Sequence, residues 1–499
     1  MMLSKKEKDD KISATDTVVM QMALLEHKKG QGLIMKKRLL CVLAASAVAL
    51  SMMSCGANEA VVSSQAASEK KVVEIWTNDR HDLDYINKKI EEYNATNQDN
   101  IEIKQTVVTD DYFNMLTMAK TSGTAPDIAT LNGGAAQFDL KTFVDSGIIR
   151  PLNEFLDKAS ESYVENTDYK NHVYEGINAI GEDIYWVPTG QRSGTRILYN
   201  KTLFEKAGIT EFPKTLSEMV DAAKTITEQG EGKYYGYATT VNAPIARCLE
   251  GIAEKSGQNL YGYDYVNGKF DFSGYKPIIE EFQKMFTDGS VLPGSASQQV
   301  DAMRAQFAAG NVAMWPNASQ EAGVFTNQFP IDTFEWGVAE LPTLDGEIHG
   351  AQTAQPQKGY IMMADTDVPQ EAWKVIEYFA SEEFLKEYYE SGFSLPISEH
   401  MSNIIDSTKS GRIQDFGRYN YESVYPLPPS VTVQGEDSKT VLWSATMGER
   451  DIDEAIEDLN KRYNEALERD LKMGKVKRVV VKDFDPLHPA DGTVEYLDK

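Results

Sequence analysis

Segments with the periodicity of β-strands alternate along this chain with segments that have the periodicity of α-helices. Val72–Trp76 is a β-branched run that ends in an aromatic residue, and Ile101–Val108 alternates between apolar and polar positions. Between them, Asp82–Tyr93 places its apolar residues at helical spacing. A third strand pattern follows at Asp127–Leu131. Strands that alternate with helices predict βαβ units and a mainly parallel sheet, so the chain is predicted to adopt an α/β fold.

A second block of the chain repeats this organisation. Arg196–Tyr199 predicts a strand, and Asn200 is placed to cap the helix that follows it. Thr215 and Glu218 have the spacing of a capping box at the start of another helix. Later patterns predict helices at Asp301–Ala309, from Pro369 and at Ile452–Leu467, and strands at Val312–Trp315 and Glu335–Ala339. The second block is therefore predicted to be α/β as well.

Polar residues follow two of the predicted strands at the point where each strand ends. Thr77–Arg80 comes after the first strand, and Asn132–Gly134 comes after the third. In open α/β sheets, ligands bind beyond the carboxyl ends of the strands. Glycine allows the backbone to approach a ligand closely. The sequence therefore predicts that these loops contribute to a ligand site.

The charge of the chain limits its partners. The 499 residues carry a formal net charge of -26, and the residues after Ser54 carry 41 basic and 71 acidic side chains, a net of -30. An acidic surface repels the phosphates of nucleic acids and of anionic lipids. We therefore expect neither nucleic acid nor an anionic lipid surface to be the main partner.

Residues 35–55 resemble a bacterial lipoprotein signal. Lys36–Arg38 form a positive segment, and the apolar or small residues of Leu39–Met53 form a run shorter than the roughly 20 residues that span a membrane. Met52–Cys55 resembles a lipobox, in which the cysteine is acylated and becomes the new N-terminus, although Met52 stands where that motif usually has leucine. The alternative is an ordinary signal peptide that contains an incidental cysteine.

We expect the translated protein to begin at Met35. Residues 1–34 are polar and precede the signal, and Lys28–Gly32 is what a purine-rich ribosome-binding site would encode. Residues 35–54 would then be the signal peptide, Cys55 the palmitate-bearing N-terminus, and residues 55–70 a flexible tether. This organisation predicts a protein held by lipid on the outer face of the cytoplasmic membrane, in an extracellular or periplasmic position.

Cysteine usage points away from a disulfide or a structural metal. Cys41 lies in the signal and Cys55 at the cleavage point, which leaves Cys248 as the single thiol of the mature chain. Zinc sites need a cluster of cysteine or histidine ligands, and the sequence has no such cluster. We expect Cys248 to be an inert, half-buried thiol, with a catalytic nucleophile as the alternative.

A series of short motifs then follows the chain in a defined order. These motifs are Ala125–Ile128, Gly147–Leu152, Tyr185–Pro188, Leu198–Lys201, Phe204–Gly208, Phe212–Thr215, Phe307–Met314 and Gly337–Pro342. Their order and spacing resemble the family 1 extracellular solute-binding proteins, the maltose-binding-like group. The resemblance covers roughly residues 72–470.

The resemblance implies a two-lobed fold of the periplasmic-binding-protein type (class II), with a ligand cleft between lobes joined by hinge strands. Each lobe would be discontinuous: residues 71–190 with 353–400, and residues 191–352 with 401–475. Residues 476–499 would be a C-terminal extension to which the resemblance assigns no role. It further implies a monomer without catalytic residues, metal or cofactor, whose partners are a small solute and the membrane permease of an ABC importer.

The resemblance also supplies candidate ligand-binding residues. A sugar needs flat aromatic rings to stack on, and amide, carboxylate or guanidinium groups to bond its hydroxyls. By position, the candidates are Trp76, Asn78, Asp79, Arg80, Asn132, Gln191, Arg192, Asn242, Arg247, Trp315, Asn317, Gln352 and Trp443. If Arg80 and Arg192 both face the cleft, the ligand would carry a carboxylate or a sulfate, because arginine binds such groups bidentately.

We expect the solute to be a monosaccharide or an oligosaccharide. One alternative is a non-sugar or anionic solute, and another is a lipid-anchored hydrolase that acts on glycans. A third is an adhesin or assembly protein that uses the lobes as a scaffold. The sequence contains no G-x-S-x-G, H-E-x-x-H or P-loop pattern, so nothing in its motifs favours the hydrolase.

Overall fold

The computed structural model of the protein describes residues 70–109, 111–131, 138–240 and 245–498. The predicted extension, signal peptide, lipidation site Cys55 and most of the tether lie outside these residues. None of the described helices combines the length and the apolar character that crossing a membrane requires.

The strands are β1 (Lys71–Thr77), β2 (Ile101–Val107), β3 (Ile128–Leu131), β4 (Ile149–Arg150), β5 (Ala179–Ile180), β6 (Asp183–Ile184), β7 (Gly190–Arg192), β8 (Arg196–Asn200), β9 (Tyr235–Tyr237), β10 (Tyr263–Asp264), β11 (Lys269–Phe270), β12 (Val312–Asn317), β13 (Trp336–Glu340), β14 (Gln352–Thr353), β15 (Gln355–Gln357), β16 (Gly359–Met363), β17 (Glu422–Ser423), β18 (Arg478–Lys482) and β19 (Thr493–Leu497). The α-helices are α1 (Leu83–Thr96), α2 (Tyr112–Ser122), α3 (Leu140–Asp145), α4 (Asn153–Leu156), α5 (Glu161–Thr167), α6 (Lys201–Lys206), α7 (Leu216–Gly230), α8 (Gly251–Lys255), α9 (Lys276–Thr287), α10 (Val300–Ala308), α11 (Glu321–Asn327), α12 (Pro369–Phe379), α13 (Glu382–Glu390), α14 (Glu399–Ile404), α15 (Ser438–Thr446) and α16 (Ile452–Lys472). A π-helical segment, Ile245–Glu250, precedes α8.

The first sheet has five strands in the order β2-β1-β3-β16-β4. β1 runs parallel to both neighbours, with Ile75 opposite Gln105 on β2 and opposite Ile128 on β3. α1 packs into the core on one face of this sheet, and α2 packs into the core on the other. The predicted parallel βαβ units are confirmed here. We call this sheet and the helices packed on it the first lobe.

The second sheet has the order β13-β8-β12-β9, and it differs from the prediction. β8 is antiparallel to β12 and to β13, and only the β12–β9 pair is parallel. The expectation of a mainly parallel sheet is therefore wrong for this part, which we call the second lobe. β8 enters its sheet directly from the crossing strand β7, without an intervening helix. β16 enters the first sheet from β15 in the same way and is also antiparallel to its neighbours.

Two antiparallel strands connect the lobes. β7 pairs with β15, with Gln191 opposite Pro356. β7 leads into the second sheet and β15 leads into the first, so the chain crosses between lobes at this pair. The predicted two-lobed α/β fold is confirmed, and residues next to this crossing lie where the lobes meet.

Several predicted helix starts are confirmed by their capping geometry. The Thr215 side chain accepts a hydrogen bond from the backbone of Glu218, whose carboxylate in turn accepts one from the Thr215 backbone. Asn200 caps α6 by accepting from the backbone of Leu203. α16 continues to Lys472, past the predicted end at Leu467, because Leu471 lies one turn further on the same face and is also buried.

The chain after Lys475 forms a β-hairpin. β18 and β19 pair antiparallel, with Val480 opposite Glu495. Val479 and Val481 are buried in the core of the second lobe. The segment is therefore packed onto the folded domain.

Candidate functional site

The loop that follows β1 brings two of the predicted residues to the end of the first sheet. Asp79 is buried, and its backbone N–H donates to the Thr77 hydroxyl at 3.1 Å, which fixes the turn. Thr77 also accepts a hydrogen bond from Thr130 on β3 at 2.9 Å. The half-buried Asn78 lies between Thr77 and Asp79. The neighbouring strand therefore holds this loop in place.

A buried lysine from the crossing supports the same loop. The Lys358 ammonium, between β15 and β16, pairs with the Asp82 carboxylate and lies 3.5 Å from Asp79 Oδ2. His81 Nδ1 bonds the other Asp79 oxygen, and the Tyr388 hydroxyl donates to Asp82 at 2.6 Å. The chain thus links the ligand loop of the first lobe to the crossing strands through charged contacts.

The charges in this network shift the pKa values of Asp79 and Lys358. Burial alone would raise the pKa of Asp79, but Lys358, His81 and Arg192 together hold that pKa well below its ordinary range. Burial alone would lower the pKa of Lys358, but the carboxylates of Asp82 and Asp79 raise it above its ordinary range. Asp79 and Lys358 are therefore both charged near neutral pH.

Asp79, His81 and Asp82 come close enough together to bind a metal ion. The Lys358 ammonium already contacts both carboxylates, and it supplies the positive charge that a cation would bring. A metal site at this position would have to displace a buried, ion-paired lysine, which is costly. We therefore assign the cluster to the lysine.

Arg192 and Arg247 come together from the crossing and from the second lobe. Arg247 Nη1 lies 3.4 Å from Thr195 Oγ1, in the segment that joins β7 to β8. Burial first, and then the charge of Arg192, lower the pKa of Arg247 to about 10. Arg192 also acts on Asp79. Arg192 therefore lies between the Asp79 loop and the Arg247 helix, which brings three predicted residues into one neighbourhood.

Three further side chains, each next in sequence or in space to the residues just described, have buried polar atoms without a hydrogen-bond partner. Asn78 Oδ1, Ser193 Oγ and Gln320 Oε1 have no hydrogen-bond partner among the described residues. Gln320 Nε2 donates to Asn317 Oδ1 at 3.1 Å, and the adjacent Glu321 acts on the pKa of Arg247. A buried polar atom left unpaired costs about 1–3 kcal/mol. Such atoms are expected where a protein bonds a polar ligand.

Two predicted glutamines instead hold the crossing together. Gln191 donates from Nε2 to the Pro396 carbonyl at 2.5 Å, and its Oε1 accepts from Arg418 at 2.7 Å. Gln352 donates to the Thr195 carbonyl at 3.0 Å and accepts from Arg196 at 3.3 Å. The amide groups of both residues are therefore already bonded to the protein.

The predicted tryptophans make packing contacts within the protein. Trp315 is 1% exposed and packs among Phe307 and Phe325, so its ring has no face open to a ligand in this structure. Trp443 is half-buried and packs edge-on against Phe286. Trp76 is half-buried beside α2. An indole ring can pack in an apolar core or stack on a sugar. The sequence pattern is the same in both cases, so it cannot separate the two roles.

The remaining predicted residues have varied positions. Arg80 is exposed and has no ion pair within the described part of the chain. Asn317 is buried at the end of β12, where its side-chain oxygen accepts from Gln320. Asn132 and Asn242 lie outside the described residues. Cys248 is fully buried rather than half-buried, and burial raises the pKa of its thiol, which keeps the sulfur protonated.

The structure adds an aromatic pair that the sequence analysis missed. Tyr419 and Tyr421 stack with their ring centroids 5.3 Å apart and their planes 9° apart. The Arg196 guanidinium lies 4.6 Å from the Tyr419 ring centroid, and Arg196 is ion-paired to Glu422. The alternation of tyrosines at 419 and 421 was a usable signal for a flat aromatic surface beside the crossing.

Comparison with known proteins assigns this two-lobed architecture to a family. The family model of the bacterial extracellular solute-binding proteins matches residues 78–384. A putative binding protein of Brucella abortus is 23% identical over 330 residues, which cover 66% of this chain and 77% of that protein. An erythritol/L-threitol-binding protein of Mycolicibacterium smegmatis is 27% identical over 141 residues, which cover 26% of this chain and 28% of that protein.

Solved structures show the same fold at low sequence identity. An ABC transporter solute-binding protein of Thermotoga lettingae, bound with alpha-D-tagatose, superposes with a TM-score of 0.61 at 20% identity, covering 80% of this chain and 100% of that one. A solute-binding protein of Agrobacterium vitis with bound D-mannitol gives a TM-score of 0.58 at 18% identity, covering 81% and 99%. The family match spans more than half of the chain. The chain belongs to the bacterial extracellular solute-binding protein family.

Proposed function

We propose that this protein captures a carbohydrate between its two lobes and delivers it to the permease of an ABC importer. The observation that carries this proposal is the set of buried, unpartnered polar atoms on Asn78, Ser193 and Gln320, beside Arg192 and Arg247. These residues come from the first lobe, the crossing and the second lobe. A solute with several hydroxyls would satisfy such atoms from all three sides.

The related proteins support a polyhydroxylated solute. Tagatose, mannitol and erythritol are named for three of them, and all three compounds are sugars or sugar alcohols. A further similar structure, from the thermophilic bacterium Caldanaerobius polysaccharolyticus, belongs to work on xylan utilization. Within this range the structure favours no single sugar.

A second candidate is a solute that carries an anionic group. The Arg192 guanidinium makes no hydrogen bond or ion pair within the described residues, and the one hydrogen bond that we find there for the Arg247 guanidinium is to Thr195. The carboxylates nearest to them are already paired, Asp79 with Lys358 and Glu321 with Arg304. Two guanidinium groups with donors to spare are suited to a carboxylate or a sulfate, such as that of a uronate.

A thermal-shift screen of the purified protein tests both candidates. We expect at least one compound, from a panel of neutral sugars, sugar alcohols and matched uronates, to raise stability by about 2.7 kcal/mol at 100 times its dissociation constant. A preference for glucuronate over glucose would support the anionic candidate. If no carbohydrate shifts the transition while another class of solute does, the carbohydrate proposal fails.

A second experiment on the purified protein tests the hydrolase alternative. A receptor returns its ligand unchanged after release, whereas a glycan hydrolase converts it. We expect the bound compound, recovered after denaturation and analysed by mass spectrometry, to have its original mass. Recovery of a shorter or hydrated product would contradict the proposed function.

The proposed location rests on a lipid at Cys55, a residue outside the described part of the chain. An acyl anchor would keep the receptor beside a membrane transporter, and residues 55–70 would act as its tether. We expect Cys55→Ser to move the protein from the membrane fraction to the soluble fraction. A serine variant that remains membrane-bound would contradict the anchor.

A further inference from the structure

The C-terminal hairpin, residues 476–498, is anchored on the second lobe. The Tyr263 hydroxyl donates to the Val479 carbonyl at 2.7 Å, and the Val481 backbone N–H donates to the Tyr265 carbonyl at 2.9 Å. Val479 and Val481 are buried in that lobe's core. β18 is therefore held by both hydrogen bonds and apolar packing.

The loop of the hairpin is attached beside the crossing. The Pro486 carbonyl accepts a hydrogen bond from the Ala351 backbone at 2.6 Å and from the Tyr425 hydroxyl at 3.3 Å. Ala351 directly precedes β14, which lies next to the crossing strand β15. Phe484 stacks on Tyr265, with the ring centroids 5.3 Å apart. The loop is therefore attached to the segment that leads into the crossing.

The returning strand reaches the first lobe. The Tyr496 hydroxyl lies 3.3 Å from the position that a Cβ on Gly176 would take. The Glu175 carboxylate lies close to the Tyr496 hydroxyl, and burial followed by this carboxylate raises the pKa of Tyr496 to about 12. Glu175 itself is fixed by accepting from the Gly181 backbone at 2.9 Å. Ile177 and Trp186, in the same segment, are buried in the core of the first lobe.

We propose that the C-terminal hairpin is a strap across the hinge, which restricts how far the lobes move relative to each other. Its β18 strand is fixed to the second lobe, its loop to the start of the crossing, and Tyr496 to the first lobe. Hinge closure in two-lobed proteins depends on a few residues that absorb the backbone change. A contact that spans the hinge narrows the range of interlobe angles in the ligand-free protein, whatever the solute is.

The expected result is a wider distribution of interlobe distances when Tyr496 is removed. We would place spin labels on cysteines introduced by Lys141→Cys in α3 and Lys224→Cys in α7, both exposed positions. Cys41→Ser and Cys55→Ser remove the two other cysteines that could be labelled, and the native Cys248 is buried. By pulsed electron paramagnetic resonance, we expect Tyr496→Ala to widen the ligand-free distribution by about twofold.

Two further variants make the test specific. Glu495→Gln breaks the Lys482–Glu495 pair inside the hairpin and leaves Tyr496 in place, so it is expected to leave the distribution unchanged. Tyr496→Phe keeps the ring and removes the hydroxyl, so it is expected to widen the distribution less than Tyr496→Ala. The strap is refuted if Tyr496→Ala leaves the width unchanged, or if Glu495→Gln widens it equally.

Discussion

Replacing Lys358 with methionine is expected to destabilise the protein by about 3–5 kcal/mol, because it leaves two buried carboxylates without their counter-charge. Asp79 and Asp82 are 8% and 2% exposed, and both pair with the Lys358 ammonium. Methionine keeps most of the unbranched apolar stem of the side chain and removes the charge. Lys358 has a positive φ of 55°, a conformation that is equally unfavourable for either residue, so backbone strain is unchanged. Chemical denaturation at pH 7 measures the loss.

The pH dependence of this variant distinguishes lost charge pairing from lost packing. Because the folded-state pKa of Asp79 lies below its unfolded value of about 3.9, its stabilising contribution is present above that pH and is lost as the pH falls through the folded-state pKa. Without Lys358, burial favours the protonated carboxyl. The difference between Lys358→Met and the wild type should therefore shrink between pH 7 and pH 4.

A surface substitution supplies the control for this experiment. Lys141 pairs with Asp145 at 2.6 Å on α3, and both side chains are exposed. Lys141→Met is expected to change stability by less than about 1 kcal/mol. If Lys358→Met costs no more than Lys141→Met, or if its cost is the same at pH 4 and pH 7, the proposed network is not stabilising the ligand loop.

Replacing Arg196 with methionine is expected to cost a similar amount, about 3–5 kcal/mol. Arg196 and Glu422 both have fully buried side chains, and Arg196 Nη1 lies 2.7 Å from Glu422 Oε1. The same carboxylate accepts from the Gly194 backbone at 2.8 Å and the Tyr419 backbone at 3.1 Å. The pair thus connects the start of β8 to β17 next to the crossing. Removal of the guanidinium leaves a buried charge.

The double variant is informative because it removes that charge. Arg196→Met with Glu422→Gln is expected to be more stable than Arg196→Met alone, since glutamine can still accept from the Gly194 backbone without carrying a charge. Urea denaturation measures the free energy of unfolding of the wild type, both single variants and the double variant. These four values give the coupling energy between Arg196 and Glu422. Fully additive losses would contradict the buried ion pair as the source of stability.

Much of the fold was predictable because its signals are local. Apolar spacing and caps such as Thr215 and Asn200 depend on residues within one or two turns, and these elements formed as predicted. The direction of β8 and β16 was not predictable from periodicity. Both strands follow a crossing, and strand direction there depends on the connection between lobes.

The candidate site was predictable only in part. Polar residues after the first predicted strand indicated Asn78 and Asp79, because the topology of an α/β sheet brings such loops together. Arg192 was indicated by the family resemblance. Lys358 was missed because its partner Asp79 lies 279 residues away in sequence. Gln352 was predicted for the ligand, but its amide bonds to Thr195 and Arg196. An amide has the same appearance in sequence whether it faces a ligand or the protein.

We propose that a solute binds between the lobes beside Arg192. Isothermal titration with the carbohydrate that gives the largest thermal shift tests this binding site. We expect Arg192→Gln to weaken binding by at least about tenfold, or 1.4 kcal/mol. Arg150→Gln, which removes a half-buried guanidinium paired with Glu154 in the first lobe, should bind as the wild type does. Wild-type affinity in Arg192→Gln would show that the solute does not bind beside Arg192.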